Sequence, residues 1–524
     1  MTGRSEIGAG LAASRDAHAI RRGERIHVIG AAGAGASAAA LLAHHAGAIV
    51  TGCDAGGPSQ YTPPLIAAGL QLAWEHDPRH VTDAPGPDRL AVTKALTAVA
   101  PDHPELVAAR TAGLAIEPWQ QVVADAATGR TLIGVAGTHG KSTSAGWLVH
   151  VLVEAGEDPS AFVGALLPAS VTGGAPATAR SGDGRQFVVE ADEYAGNFDA
   201  YRPAITLLTS AEWDHPDVFG DRAAVIAALE AWIRRSTAGT ETSENAPLLV
   251  ANVADAGVAE LAGRLADWPG TVFATAILDV AGQRLASFAR GIADQYRTAG
   301  GPATALLGRI AATASDSTSL EIHGLDPLRG LIPVRLLTAG RHNAANALGV
   351  AAAALAAGLP ADRIVGGLAS FPGVGRRLEW KGEVAGIVVY DDYGHHPTAI
   401  RETLAAIRQR ERGRRIWAVY EPLTYHRTAA LLDDFATALA EADAVAIADI
   451  WPGRDNDTTI ASAMGLAEAV GKRRPGLTVA APGSVEATAA WLAHEVRHGD
   501  AVLVMGGGRS YRIGELLLEE LERR

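Results

Sequence analysis

The sequence predicts an α/β protein of three domains: an N-terminal Rossmann-like domain, a central P-loop-type domain with a mainly parallel sheet, and a C-terminal Rossmann-like domain. Three observations carry this expectation. Strand, glycine turn, helix, strand and acid follow one another between Ile26 and Asp54, the order of a Rossmann unit. A second apolar strand meets a glycine loop and a helical pattern in TLIGVAGTHGKSTSAGWLVHVLVEAG, from Thr131 to Gly156. Beyond Phe371, short apolar strands again alternate with helical patterns. At 524 residues the chain exceeds one ordinary core, and two to four domains of roughly 100–200 residues are expected. The divisions fall at 25–120, 121–372 and 373–524, after a flexible leader at 1–24.

Taking the elements in order, Ile26–Ile29 reads as a strand, GAAGAGAS as a turn, 38–46 as an Ala/Leu helix, and Ile49–Thr51 as a second strand. The glycines Gly30, Gly33 and Gly35 are spaced GxxGxG rather than GxGxxG. A phosphate-containing ligand at this helix N-terminus, with Asp54 near a ribose, competes with a purely structural turn. Helical signals at Leu65–Leu70 and His103–Ala112 and strands at Leu90–Thr93 and Leu114–Ile116 complete the first domain.

The stretch Gly137-Thr138-His139-Gly140-Lys141-Ser142-Thr143 lies between a β-branched strand and a helix. Unsatisfied N–H groups and the positive end of the helix dipole favour an anion there, and glycines let the backbone approach phosphate oxygens. Lys141 is placed to neutralise terminal phosphates and Ser142 to put a hydroxyl on Mg²⁺. The spacing is GxxGKS, with Val135 where the commoner nucleotide loop has glycine. The chain contains only four lysines, Lys94, Lys141, Lys381 and Lys472, which makes a lysine here more informative than a solvated one elsewhere.

Two more strands end in acids: Phe187-Val188-Val189 runs into Glu190-Ala191-Asp192-Glu193, and Ala204–Thr209 into Ser210-Ala211-Glu212-Trp213-Asp214-His215. Parallel-sheet loops gather at one edge, beside the phosphate loop, where carboxylates suit Mg²⁺. Glu193 is the first choice of ligand, and His215 is unusual for magnesium on chemistry alone. Residues 236–330 are less informative apart from the strand Leu248-Leu249-Val250. In GRHNAANALG, Asn343 and Asn346 share a helix face, where their amides could read an adenine edge or merely cap the helix. After Phe371–Arg377, a strand at Ile387–Tyr390 leads into DDYGHHP, whose adjacent histidines fit nucleotide or interdomain contacts better than a metal.

Composition excludes several classes. A net charge of −13 and a pI near 5.7, without a basic stripe, argue against nucleic acid as partner. No stretch approaches the roughly 20 apolar residues of a membrane helix, and the first residues lack a signal-peptide core. The single cysteine, Cys53, excludes an intramolecular disulfide and a cysteine metal cluster, and fits a reducing cytoplasm. Oligomeric state is not legible.

On VAGTHGKST (135–143), VVEADEY (188–194), EWDH (212–215), GRHNAANALG (340–349), GVGRRLEWKGEVAGIVVYDDYGHHPTAI (373–400) and EPLTYHRTAALLDDF (421–435), the chain resembles the Mur ligases of peptidoglycan synthesis. Within that family it is most similar to the branch that adds L-alanine to UDP-N-acetylmuramate. The resemblance implies an N-terminal domain for the UDP-sugar (Gly33, Gly35, Ser37, Asp54), a central ATPase, and a C-terminal domain for the amino acid (Arg427, His395). It implies ATP and Mg²⁺ as cofactors and an acyl phosphate that an amine attacks. Lys141 would hold the transferred phosphate, Ser142 and Glu193 the first Mg²⁺ and His215 a second. Asn343 and Asn346 would contact adenine, Arg377 phosphate and Asp392 the ribose, so the domains would have to close. Relatives with a carbamylated lysine have no counterpart here, and Glu230 would supply that charge.

Departures from the branch's pattern bear on the amino acid and on the UDP-sugar contacts. Glu421-Pro422-Leu423 stands where the branch has QPH, Thr93-Lys94-Ala95 replaces a hydroxyl-rich segment, and Ser210 replaces an asparagine. Two other readings follow: a murein peptide ligase that takes a recycled tripeptide as acceptor, and a non-catalytic paralogue that binds nucleotide and precursor.

Overall fold

The computed structural model describes residues 7–238, 246–453, 455 and 457–524. Three sheets follow one another along the chain. The first is fully parallel, in the spatial order Gln71–Ala73, Ile49–Cys53, Arg25–Ile29, Arg89–Val92, Ala115–Pro118. Ile26 and Val28 face the alanine-rich helix Ala34–His45, which starts at the glycine turn itself, earlier than its Leu-rich part suggests. His27 and Ile29, alternating, face the other side.

The central sheet has ten strands, in the order Arg329–Leu336, Thr318–Asp326, Thr304–Thr313, Thr271–Ile277, Leu248–Asn252, Ile205–Leu208, Thr131–Ala136, Gln186–Ala191, Ser160–Leu167, Ala177–Arg180. The seven from Thr304–Thr313 to Ser160–Leu167 are parallel, and the others pair antiparallel at the two edges. The sheet therefore extends well into the stretch that gave little sequence signal. Its antiparallel strand Thr318–Asp326, second from the edge, is half-exposed and alternates buried Leu320 and Ile322 with polar neighbours, a period-2 pattern too short to stand out among helices. The helices Lys141–Glu154 and Arg341–Ala356 pack together over the middle strands, and Trp147 stacks on Phe371 with ring centroids 4.5 Å apart. The third sheet runs Glu379–Val384, Ile387–Asp392, Asp500–Gly506, Arg415–Glu421, Ala444–Ala448, Thr478–Gly483, parallel except for its first strand. Trp213 is packed against both the core shared by the first two domains and the core of the third, and its indole N–H donates to Phe219 O at 2.8 Å. Among the described residues no helix is long and apolar enough to cross a membrane.

Residues 7–24, expected to be a flexible leader, instead strap the first domain. Ala12 N donates to Ile116 O, and Arg15 pairs with Glu117 (2.9 Å) and Asp125 (2.8 Å). Beneath it Arg89, itself buried, gathers Glu24 (2.9 Å), Glu117 (2.7 Å) and Asp125 (2.6 Å). Burial would raise the Asp125 carboxyl, but the Arg15 and Arg89 hydrogen bonds outweigh it and hold its pKa below the usual range. Its contribution to stability is thus present at neutral pH and is lost as pH falls through that depressed pKa. Arg89→Met leaves three buried carboxylates without their shared cation. It is expected to lower the local unfolding free energy by about 3–5 kcal/mol, measured as faster native-state hydrogen exchange across Arg25–Ile29.

Candidate active site

Loops at the carboxyl ends of the central strands meet the third domain around one cavity of about 1020 Å³. The phosphate loop forms its floor. Gly137 and Gly140 have φ of 125° and 79°, left-handed conformations that L side chains rarely adopt. A Cβ on Gly137 would lie 2.4 Å from Thr209 Oγ1, and one on Gly140 2.6 Å from Asn346 Oδ1. The loop is clamped to the EWDH segment: Thr138 N donates to Ser210 O (3.1 Å), Glu212 N to Thr138 Oγ1 (2.9 Å) and His139 N to Ser210 Oγ (2.8 Å). The serine at the expected asparagine position thus serves as an acceptor that holds the loop.

Lys141 Nζ donates to Gly137 O (2.6 Å) and Glu193 Oε2 (3.0 Å). Burial disfavours its charge, but Glu193, Asp192 and Glu190 outweigh burial and hold its pKa above the ordinary value. Ser142 Oγ donates to Glu190 Oε1 (2.9 Å) and accepts from Arg377 Nη2 (3.0 Å). Thr143 lines the same wall. Glu193 is 1% exposed, and its Oε1 is buried with no hydrogen-bond partner, 3.8 Å from His215 Nε2. An unpaired buried oxygen on the carboxylate that holds Lys141 suits a hard cation, although the acid that meets the Ser142 hydroxyl is Glu190 rather than Glu193. His215 fits that role less directly. Its backbone sits at φ 55° and Arg427 Nη2 lies 3.1 Å from its Nδ1. Because a guanidinium only donates, this contact puts the neutral ring's proton on Nε2, the atom facing Glu193.

The third domain supplies the opposite wall. Asp392 accepts from Leu378 N (2.7 Å) and Gly394 N (2.7 Å), and Arg377 stacks 5.2 Å from the Tyr393 ring centroid. His396 Nε2 lies 3.1 Å from Trp213 O and Thr398 Oγ1 donates to Glu212 Oε2 at 2.7 Å, so the paired histidines do lie at an interdomain contact. His395 lines the cavity; burial, then the Arg427 charge, push its pKa well below the ordinary value, and it is neutral. Arg427, expected to clamp an amino-acid carboxylate, is 3% exposed and spends Nε (2.9 Å) and Nη2 (2.7 Å) on Asp214 Oδ1. Its first partner is a buried carboxylate of the central domain. Leu423 lines the cavity next to Trp451 and Gly453.

Asn343 and Asn346 both line the cavity. Asn343 Nδ2 donates to Ala339 O (2.7 Å), whereas a capping side chain would accept from a backbone N–H; the N-cap position is Gly340, with no side-chain cap. Of the first-domain candidates, Gly35 reaches the cavity, where a Cβ would lie 2.1 Å from the Trp119 ring. Gly33 closes the turn and Asp54 caps it, accepting from Ala32 N (3.1 Å) and Gly56 N (2.9 Å); neither lines the cavity. Ser37 is fully buried, donating to Ala34 O (2.9 Å) beside Thr178 Oγ1 (3.2 Å), and is a packing contact between domains. Glu230 is also removed from the cavity, pairing with Arg234 (2.9 Å) and Arg264 (3.6 Å) on the helix side. Residues to which sequence reasoning gave no individual role are Asp214, Glu190 and Lys94. Lys94 Nζ donates to Ala195 O (3.0 Å) and Gly196 O (2.7 Å) at the cavity edge. Asp214 and Glu190 sat inside quoted motifs, and their position at strand ends was the available signal.

Glu421 marks a further departure. It is 2% exposed, its Oε2 has no hydrogen-bond partner, and burial pushes its carboxyl up to about 7. The neutral acid is favoured in the folded chain, so this group's contribution to stability is full below its ordinary pKa and is lost as pH rises through about 7. Glu421→Gln should therefore be more stable than the natural chain at about pH 8, by on the order of 1–3 kcal/mol, with the difference vanishing near pH 5. Thermal unfolding across that range measures it.

Comparison with known proteins agrees with this architecture. Residues 25–131 match the family model described as Mur ligase family, catalytic domain, and residues 376–508 match Mur ligase, glutamate ligase domain. A UDP-N-acetylmuramate–L-alanine ligase of Kineococcus radiotolerans is 36% identical over 507 residues, covering 96% of this chain and 98% of that protein. The crystal structure of the UDP-N-acetylmuramate-alanine ligase of Thermotoga maritima superposes with a TM-score of 0.72 at 21% identity, over 95% of this chain and 99% of that one. A murein peptide ligase from Psychrobacter arcticus gives 0.66 at 23% identity, over 96% and 99%. At these identities the two structures speak to the fold. With the sequence relationship extending over nearly the whole of both chains, the protein belongs to the Mur ligase family.

Proposed function

We propose that the protein is an ATP-dependent, amide-forming ligase that joins L-alanine to UDP-N-acetylmuramate. The observation that carries this reading is the convergence of Lys141 and Ser142 from the central domain with Arg377 and Asp392 from the third around one cavity, with the buried Glu193 carboxylate 3.0 Å from Lys141 Nζ. A carboxylate is a poor electrophile until one oxygen becomes a leaving group. Phosphorylation by ATP supplies that leaving group, and the amine of the acceptor then displaces phosphate to form the amide. Catalysis rests on positioning and charge neutralisation.

Lys141 and Arg377 would face the transferred phosphoryl group, with the Gly137–Thr143 backbone cradling the phosphates. Glu193, with Ser142, would hold Mg²⁺, which neutralises phosphate charge when bound. Asn343 and Asn346 would bound the adenine and Asp392 the ribose. His215 and Arg427, coupled to each other and to Asp214, would form the wall beside the acceptor, with neutral His395. Gly35 and the Lys94 segment would line the approach of the sugar nucleotide. A chain with one thiol suits the reducing cytoplasm.

A second reading rests on Leu423. An apolar side chain at the family's histidine position removes a polar contact to a small amino acid, and a tripeptide acceptor would tolerate that change better. Phosphate release with ATP, Mg²⁺ and UDP-N-acetylmuramate, adding L-alanine, glycine, L-serine or L-alanyl-γ-D-glutamyl-meso-diaminopimelate separately, distinguishes the two. L-alanine should stimulate release most strongly, and Lys141→Ala should reduce turnover by about 10²–10³-fold while UDP-N-acetylmuramate binding is retained. Stimulation by the tripeptide alone would move the protein to the recycling reaction, and silence with every acceptor would make it a non-catalytic binder.

A further inference from the structure

On the face of the first sheet turned away from helix Ala34–His45 lies a cluster that the ligase reaction does not use. Its centre is the Glu105 carboxylate, 0% exposed. His27 Nε2 lies 3.0 Å from Oε2, Cys53 Sγ 3.1 Å from Oε1, His80 Nδ1 3.3 Å from Oε1 and His76 Nδ1 3.4 Å from Oε1. His103 closes the group, its ring centroid 4.4 Å from that of His76. It is only 6% exposed, and neither ring nitrogen has a hydrogen-bond partner. None of these residues lines the large cavity.

We propose that His27, Cys53, His80 and Glu105 form a binding site for a borderline divalent transition metal, with Zn²⁺ the best match. Thiolate, imidazole and carboxylate are zinc's ligand set, at about 2.0–2.3 Å. In a tetrahedron such bonds place ligand atoms about 3.3–3.8 Å apart. The four ligand atoms here lie within 4.8 Å of one another, so side-chain adjustments of about 1 Å would close the site. Charge favours the same ion: one thiolate, one carboxylate and two neutral imidazoles around a dication sum to zero, the condition under which a buried charged group is tolerated. The balance is simple. The Cys53 thiol gives its proton to solvent as the Sγ–metal bond forms, and no oxidant or reductant is involved.

The surroundings already orient the ligands. His27 Nδ1 lies 2.7 Å from Thr51 Oγ1, so with Nδ1–H donating to that hydroxyl, Nε2 presents its lone pair to the ion. The side chains of His76 and His80 are 25% and 22% exposed, which gives an ion a way in past two imidazoles. A mixed set of this kind was not excluded by the single cysteine, which rules out only clusters needing several.

Cys53 is the chain's one thiol, so any thiolate–metal band must come from it. Full-length protein, stripped with chelator under reductant and carrying no polyhistidine tag, is titrated with Co²⁺ alone. The expected result is a thiolate-to-cobalt charge-transfer band saturating at one equivalent, with strong four-coordinate visible bands, both displaced by Zn²⁺. Cys53→Ser should abolish the charge-transfer band, and His215→Ala should leave it intact. His80→Gln, at the exposed edge where folding is least at risk, should weaken Zn²⁺ binding at least 10-fold in competition with a chelating dye. Absence of the band, its persistence in Cys53→Ser, or undiminished zinc affinity in both His27→Gln and His80→Gln would overturn the proposal and leave the cluster a hydrogen-bonded network.

Discussion

A lysine ammonium buried beneath a phosphate loop is stable only if carboxylates face it, and the pair between Lys141 and Glu193 sets the terms for the rest of the site. Glu193, Asp192 and Glu190 together keep the ammonium charged against burial. That arrangement requires the strands Thr131–Ala136 and Gln186–Ala191 to be parallel neighbours, so that the loop after one and the acids after the other emerge at the same edge. It also requires glycine where the backbone turns left-handed beside Thr209 and Asn346. Under the proposed function, an entering triphosphate would offer Lys141 phosphate oxygens in place of a carboxylate, and a metal ion would give the unpartnered Glu193 oxygen a partner.

The second dependence is between domains. Arg427 reaches across to Asp214 and His215, Thr398 to Glu212, and Arg377 to Ser142. Each contact joins a third-domain side chain to a loop at the carboxyl edge of the central sheet. Separating the domains would strip the Arg427–Asp214 pair of its partner on both sides, a costly change for charges this deeply buried. The loops at the carboxyl edge of the central sheet are therefore held by side chains of the third domain.

Much of this was legible in the sequence because it is local. A glycine loop between strand and helix, and acids directly after apolar strands, pointed to a phosphate site from adjacent residues; in the structure Lys141 meets Glu193 and Arg377 meets Ser142, while the acid on Ser142 is Glu190. Features that depend on packing were not legible. Ser37 looked like a ligand hydroxyl but turns inward to Thr178, Glu230 faces two arginines rather than the cavity, and residues 7–24 are tied down by Arg15 and backbone bonds to 116–125. Arg427 was expected to clamp the carboxylate of an amino acid, and only the fold reveals that its partner is Asp214. The cluster about Glu105 draws on four separate segments between His27 and Glu105, so no spacing rule could have joined them.

The placement of Trp213 has a spectroscopic consequence. Its indole lies in the seam between the central and C-terminal cores, in the middle of the motif that clamps the phosphate loop. A movement that parts those domains would expose this ring to water, while the fully buried Trp147, Trp232, Trp268 and Trp417 stay within single cores. The chain thus carries a native optical reporter at this seam, whose emission would follow any separation of the two cores.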